Sequence, residues 1–188
     1  RALSAKSRML GRSSAMPKEH GAKFVIPLVI PEGIETGDGR VFEDGAISMR
    51  ELPLPLLWQI KTGSGHDGSV VVGQITYMEK VAGGIGNAIG VFDTGEYGQE
   101  AERLVRHGFI RGVSADMDKF EADEEQVPEA TGDDSEKIGS GRINITNARV
   151  MAVTIVPKPA FQECFIQIVE NVSDVEEETM QPDGIYVD

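Results

Sequence analysis

Ser114 ends the run Gly108-Phe109-Ile110-Arg111-Gly112-Val113-Ser114, with Ala115 and Asp116 following, and His66 stands in Gly63-Ser64-Gly65-His66-Asp67-Gly68-Ser69. A serine hydroxyl becomes a nucleophile when a base takes its proton, and imidazole is the side chain whose ordinary pKa allows this near neutral pH. Ser114 and His66 are therefore the candidate nucleophile and general base of an acyl-transfer site. Distance along the chain does not count against them, because such groups are recognised by geometry and occur in several chain orders. A plain surface loop accounts equally well for a histidine among glycines.

Other residue sets carry less chemistry. His66, Asp67, Asp116 and Asp118 mix one imidazole with hard oxygens but lack a metal-binding spacing, so no metal is expected. Cys164, in Cys164-Phe165-Ile166, has an apolar setting with no positive neighbour to stabilise a thiolate. Gly83-Gly84-Ile85-Gly86 has neither the lysine nor the following helix of a phosphate loop, and no cofactor is expected. Arg149 is a weak candidate for stabilising an oxyanion through its charge.

The elements that must position Ser114 and His66 follow from periodicity. Tyr97, Ala101, Leu104 and Val105 share one helical face, predicting a helix over 96–107 with Asp93 or Thr94 as cap, basic residues in its last turn and Gly108 at C′. His107 is then a helix-terminus residue. The 108–116 run reads as a strand whose two-residue period sets Gly112, Ser114 and Asp116 on one face and Phe109, Val113 and Met117 on the other. Gly112 would leave room for a substrate backbone beside the hydroxyl, although a bent strand also tolerates glycine.

Upstream, 22–30 reads as a strand with Pro27 at an edge or bulge, 41–47 as a short extended piece, and the Pro-punctuated 52–58, ending at the core or wall residue Trp58, as non-helical. A β-branched strand over 70–79 follows the His66 loop, and Gly83-Gly84 turns it into a glycine-rich antiparallel neighbour over 85–92. Three further β-rich runs lie at 138–146, 148–156 and 164–169. The expected fold is a β-rich α+β domain, a closed or nearly closed barrel with peripheral helices that leaves few sheet edges open.

The 188 residues suit one domain with tails: a basic arm over 1–22, a body over 23–170 and an acidic tail over 171–188. Residues 121–137 read as a solvated acidic loop within the body. A net charge of −13 argues against general nucleic-acid binding. A single cysteine excludes an internal disulfide and fits a reducing compartment, here the cytosol. No apolar run approaches the roughly 18–20 residues of a membrane span. A chain opening on Arg1 suggests a trimmed or processed start.

The order Pro53-Leu54-Pro55-Leu56-Leu57-Trp58, Gly65-His66-Asp67-Gly68-Ser69 before a strand ending at Gly73, Gly90-Val91-Phe92-Asp93-Thr94-Gly95, a helix, Gly112-Val113-Ser114, and Ala152-Val153-Thr154-Ile155-Val156-Pro157-Lys158-Pro159-Ala160-Phe161 resembles the prohead (capsid maturation) proteases of tailed bacteriophages. The resemblance spans roughly 24–168. It implies an assemblin-like barrel, Ser114 as nucleophile and His66 as its base. It further implies cleavage of the scaffold or delta segment of a major capsid protein, often with self-cleavage, by a homo-oligomer inside the assembling prohead in the host bacterial cytoplasm. Many phage members carry a glutamate in the late strand to orient the histidine, and here that position reads Ala152. Asp67, Asp116 and Glu163 are the candidate replacements, with Asn147 and Thr154 as neutral ones. Without a replacement the chain would be an impaired, structural or assembly module of the same fold.

Overall fold

The structure, a computed structural model, describes residues 20–36, 39–61, 66–125 and 142–169. Most of the expected basic arm, the acidic tail and residues 126–137 of the expected acidic loop lie outside the described residues. The elements in chain order are β1 (Lys23–Pro31), β2 (Arg40–Phe42), β3 (Ile47–Met49), β4 (Leu54–Trp58), β5 (Val70–Val81), β6 (Gly84–Phe92), α1 (Glu96–Arg106), β7 (Gly112–Glu125), β8 (Arg142–Val156) and β9 (Gln167–Val169).

Strand β8 is the axis of the molecule. Ile145, Ala148, Val150, Val153 and Ile155 are buried along it, the β-branched content expected of a central strand. One edge pairs antiparallel with β7; the other takes β2, β3 and β4 in succession, all parallel, as one interrupted strand. The interruptions follow local chemistry: Glu43-Asp44-Gly45 turns between β2 and β3, and Pro53 precedes β4. From β4 the nine-stranded sheet continues through β5, β6 and β1 to β9. Pro27 sits where β1 has only one paired edge, since β9 reaches only from Lys23 to Val25, which agrees with its edge reading.

The result is a β-rich α+β fold with a curled, half-barrel sheet. Continuous ladders do not close it. Between β7 and the segment leading into β9 there is an isolated bridge, Gly112 with Phe165, where Val113 N–H donates to Cys164 O (3.1 Å) and Ile166 N–H to Arg111 O (2.9 Å). Downstream of that bridge, among the described residues, β7 has no strand on this edge. A closed or nearly closed barrel was expected because closure removes edges; the chain turns away at Cys164 instead, its N–H donating back to Phe161 O.

The core packs on the concave face. The Phe24 and Phe92 rings meet edge to face at 5.2 Å, and Gly90 lets Phe24 approach so closely that an added Cβ would lie 2.3 Å from the ring. Only one helix, the one located from sequence, occurs among the described residues, where peripheral helices were expected. It ends as its sequence indicates: Gly108 adopts φ 73°, its N–H donates to Val105 O and that of Phe109 to Leu104 O, the paired bonds of a Schellman motif. Its start differs, with Gly95 at the N-cap, Asp93 accepting the Gly95 N–H and Thr94 O accepting from Gln99. Its buried stripe is Gly98, Ala101 and Val105; Tyr97 is exposed, because the close pass of Asp93 O over Gly98 sets the inward face one residue later.

Two boundaries move. The Ser114 strand begins at Gly112, not Gly108, since the Schellman turn consumes Gly108 and Phe109 and leaves Phe109 exposed. At its far end β7 runs on to Glu125, so residues 121–125 are strand where an acidic loop was expected, and β8 starts at Arg142. Backbone pairing with β8 holds this stretch, and its exposed acidic side chains at Glu121 and Asp123 stay in water.

Candidate active site

Ser114 and Asp116 lie on one face of β7, two residues apart, as the strand period requires. Opposite them on β8 stand Thr154 and Ala152 respectively. Onto this face comes His66, in the turn just before β5 and closed by Ser69 N–H donating to His66 O at 3.1 Å. Its Nδ1 lies 2.5 Å from Asp116 Oδ1. The other carboxylate oxygen, Oδ2, accepts from Thr154 Oγ1 at 2.5 Å, and Thr154 is fully buried.

Asp116 is thereby held from two sides. The His66 and Asp116 side chains keep 22% and 20% of their exposure, enough for substrate access and little enough for a strong contact. The Asp116 hydrogen bond raises the His66 pKa above its ordinary 6.5; burial opposes the shift and the carboxylate charge adds to it. With Nδ1 donating to a carboxylate, the lone pair of the neutral ring sits on Nε2, the arrangement a general base requires.

Ser114, His66 and Asp116 line one cavity of about 300 Å³. Its remaining walls are mostly apolar, with Val29 and Ile30 from β1, Phe42 from β2, Met117 and Phe120 from β7 and Phe161 beyond β8, while Thr36 and Arg40 add a hydroxyl and a guanidinium. These wall residues have no local signature, since they come from segments far apart in sequence. The Pro159-Ala160-Phe161 stretch folds back over the start of β7. An added Cβ at Gly112 would lie 2.6 Å from the Pro159 ring, so this glycine makes room for the chain's own proline, not for a substrate backbone.

The other candidates separate from the site. Asp67 and Glu163 are exposed and outside the cavity lining. Asn147 pairs with Glu121, further along the ladder, and Thr154 touches the acid where it was expected to hold the ring. Asp118 receives Arg149 through two hydrogen bonds of 2.9 Å and also Arg50; these guanidiniums hold its carboxyl far below the usual range. Arg149 is thus committed to Asp118 and not to an oxyanion. Burial, with a smaller contribution from Glu163, pushes the Cys164 thiol up to about 12. Trp58 is a core residue outside the cavity lining, and His107 caps the end of α1. Among the described residues no three metal-ligating side chains gather, and no helix is long and apolar enough to cross a membrane.

No protein-family model, curated protein or solved structure matches this chain.

Proposed function

We propose that the chain is a serine endopeptidase with Ser114 as nucleophile, His66 as general base and Asp116 as the residue that positions the base. The observation that carries this is the Asp116–His66 hydrogen bond on the face and in the cavity of Ser114. In the first half-reaction His66 Nε2 takes the Ser114 proton and Oγ bonds to a peptide carbonyl carbon. The tetrahedral intermediate then expels the amine, which receives the proton from His66. Water attacks the acyl-enzyme in the second half-reaction, giving its proton to His66 and releasing the acid as Ser114 regains a proton. Asp116 stabilises the imidazolium in both halves without itself taking the proton.

The finer reading rests on resemblance: an assemblin-like prohead maturation protease acting on the scaffold or delta segment of a major capsid protein, with self-cleavage, as a homo-oligomer inside the prohead in the host cytoplasm. The sheet of the described residues is a curled half-barrel, and the assemblin-like barrel rests on the resemblance alone. The competing reading, an inactive assembly module, rests on Ala152. Asp116, on the partner strand opposite Ala152, supplies the carboxylate that this reading takes as missing.

The test is co-expression with a capsid precursor, wild type against Ser114→Ala, with both proteins followed by intact-mass spectrometry. Processing is expected with the wild type and absent with the variant at unchanged thermal stability. Processing that persists in Ser114→Ala overturns the assignment.

A further inference from the structure

The cavity that holds Ser114 has a second polar group. Arg40 pairs with Ile143 near the start of β8 and Ser114 with Thr154 near its end, yet both residues line this one cavity. Thr36 pins the Arg40 backbone. Its hydroxyl donates to Arg40 O at 3.1 Å and accepts the Arg40 N–H at 2.9 Å, while Thr36 N–H donates to Arg40 O at 2.8 Å. Thr36 is only 6% exposed, and its one hydroxyl proton is committed to this turn. It therefore positions Arg40 and leaves recognition to the guanidinium.

Among the described residues that line the cavity, Arg40 is the one permanent cation and Asp116 the one carboxylate, and Asp116 is engaged by His66 and Thr154. Arg50, Arg149, Arg103 and Arg106 instead serve acids on their own surface, Asp118, Glu100 and Glu102. A guanidinium carries five donors in a planar fork, so it can hold a carboxylate by two bonds and still serve another acceptor. Val29, Ile30 and Phe42 flank it with apolar surface, where an ion pair is stronger than in water. The matching side chain carries a carboxylate beyond a short apolar stem. Glutamate, with two methylenes, fits this better than aspartate, and lysine or arginine would meet like charge.

We propose that Arg40 is a specificity-determining residue that receives a glutamate side chain of a polypeptide substrate. The glutamate lies several residues from the bond to be cut, because Arg40 and Ser114 stand toward opposite ends of β8. The catalytic consequence rests on the protease reading, whereas the binding preference belongs to the cavity alone. A contact this far from the reacting carbonyl is the same in the ground state and the transition state, so it lowers KM and leaves kcat unchanged. Asp116 does not oppose it, since that carboxylate is held by His66 and Thr154 on the Ser114 side of the cavity.

The experiment scans Glu, Gln, Asp and Lys through each position of a decapeptide library, measuring cleavage by the wild type and binding to Ser114→Ala by fluorescence polarisation. Glu is expected to exceed Gln by about tenfold at one dominant position, in KM and in binding, with kcat within about twofold. The preference should shrink as salt is raised. Arg40→Gln should erase it at unchanged melting temperature, Arg40→Glu should turn it toward Lys, and Arg40→Lys should keep part of it. Should Arg40→Gln fail to fold, the Glu-against-Gln comparison and its salt dependence on the native chain still decide. A Glu preference in binding without cleavage would support the subsite while sinking the protease. Cleavage indifferent to Glu against Gln, or a Glu preference that survives in Arg40→Gln, would overturn the subsite while leaving the protease. Failure of every peptide to be cleaved or bound overturns both.

Discussion

Asp116 stands directly across the β7–β8 ladder from Ala152, and from there its carboxylate reaches His66 with one oxygen and Thr154 with the other. The acid that meets His66 is carried on the strand of Ser114, two residues beyond it. Cross-strand neighbours have Cβ atoms about 4.5–5.5 Å apart, so a carboxylate on either strand can serve a ring resting on this face.

Asp116→Ala should therefore lower kcat by about 10³–10⁴-fold with little change in KM, the scale set by loss of an orienting acid elsewhere. Ala152→Asp added to that variant should restore part of the loss. Steady-state kinetics on a cleaved peptide decides it: a loss below threefold in the single variant would remove Asp116 from the catalytic machinery.

Thr154→Val keeps the shape of the buried side chain but removes the hydroxyl that donates to Asp116 Oδ2. The lost hydrogen bond to a charged group is expected to cost roughly 1–2 kcal/mol, a five- to thirtyfold fall in kcat. Thr154→Ser should recover most of it, which a purely packing role for the methyl would not allow.

The raised pKa of His66 sets the sign of the pH dependence. Its neutral form is the base, so kcat/KM should rise with pH through an inflection above 6.5, and Asp116→Asn should move that inflection down toward the ordinary histidine value. Stability runs the other way. The folded pKa exceeds the unfolded one, so the His66–Asp116 pair stabilises fully below about 6.5 and its contribution is lost as pH rises through the folded value. NMR titration of the imidazole, with denaturant unfolding of wild type and His66→Gln across this range, checks both signs.

Cys164, with its thiol pushed to about 12 and only 1% exposed, should resist iodoacetamide at neutral pH until the protein unfolds. Cys164→Ala should leave kcat/KM unchanged. Rapid alkylation of the native protein, followed by peptide mapping, would contradict the buried placement.

Gly112→Ala would drive a Cβ into the Pro159 ring and within 2.9 Å of Val156 O. Overpacking of this kind costs about 1–3 kcal/mol and should lower Tm by about 2–12 °C for a domain of this size. Peptide cleavage should fall more than stability alone accounts for, because Pro159 anchors the Ala160 and Phe161 wall. Differential scanning calorimetry beside kinetics measures the two effects.

Much of this was legible in local pattern. The helix C-terminus follows from short-range chemistry, a basic last turn and a glycine at C′, and the two-residue strand period sets Ser114 and Asp116 on one face. Elsewhere a tertiary contact outweighs the local preference. Glu121 and Asp123 resemble a solvated loop by composition, yet pairing with β8 draws their backbone into a strand. Tyr97 looks like a core position by spacing, yet the pass of Asp93 over Gly98 turns it outward.

Sequence by itself determined the candidate pair Ser114 and His66 and the face on which the hydroxyl stands, because residue type and a period of two are local properties. Tertiary structure alone decided which of Asp67, Asp116 and Glu163 meets His66, what fills the space at Gly112, and that, among the described residues, no strand pairs with the second edge of β7 past Ser114. Those outcomes depend on ladder register and on where the chain turns at Cys164, long-range relations that no stretch of neighbouring residues encodes.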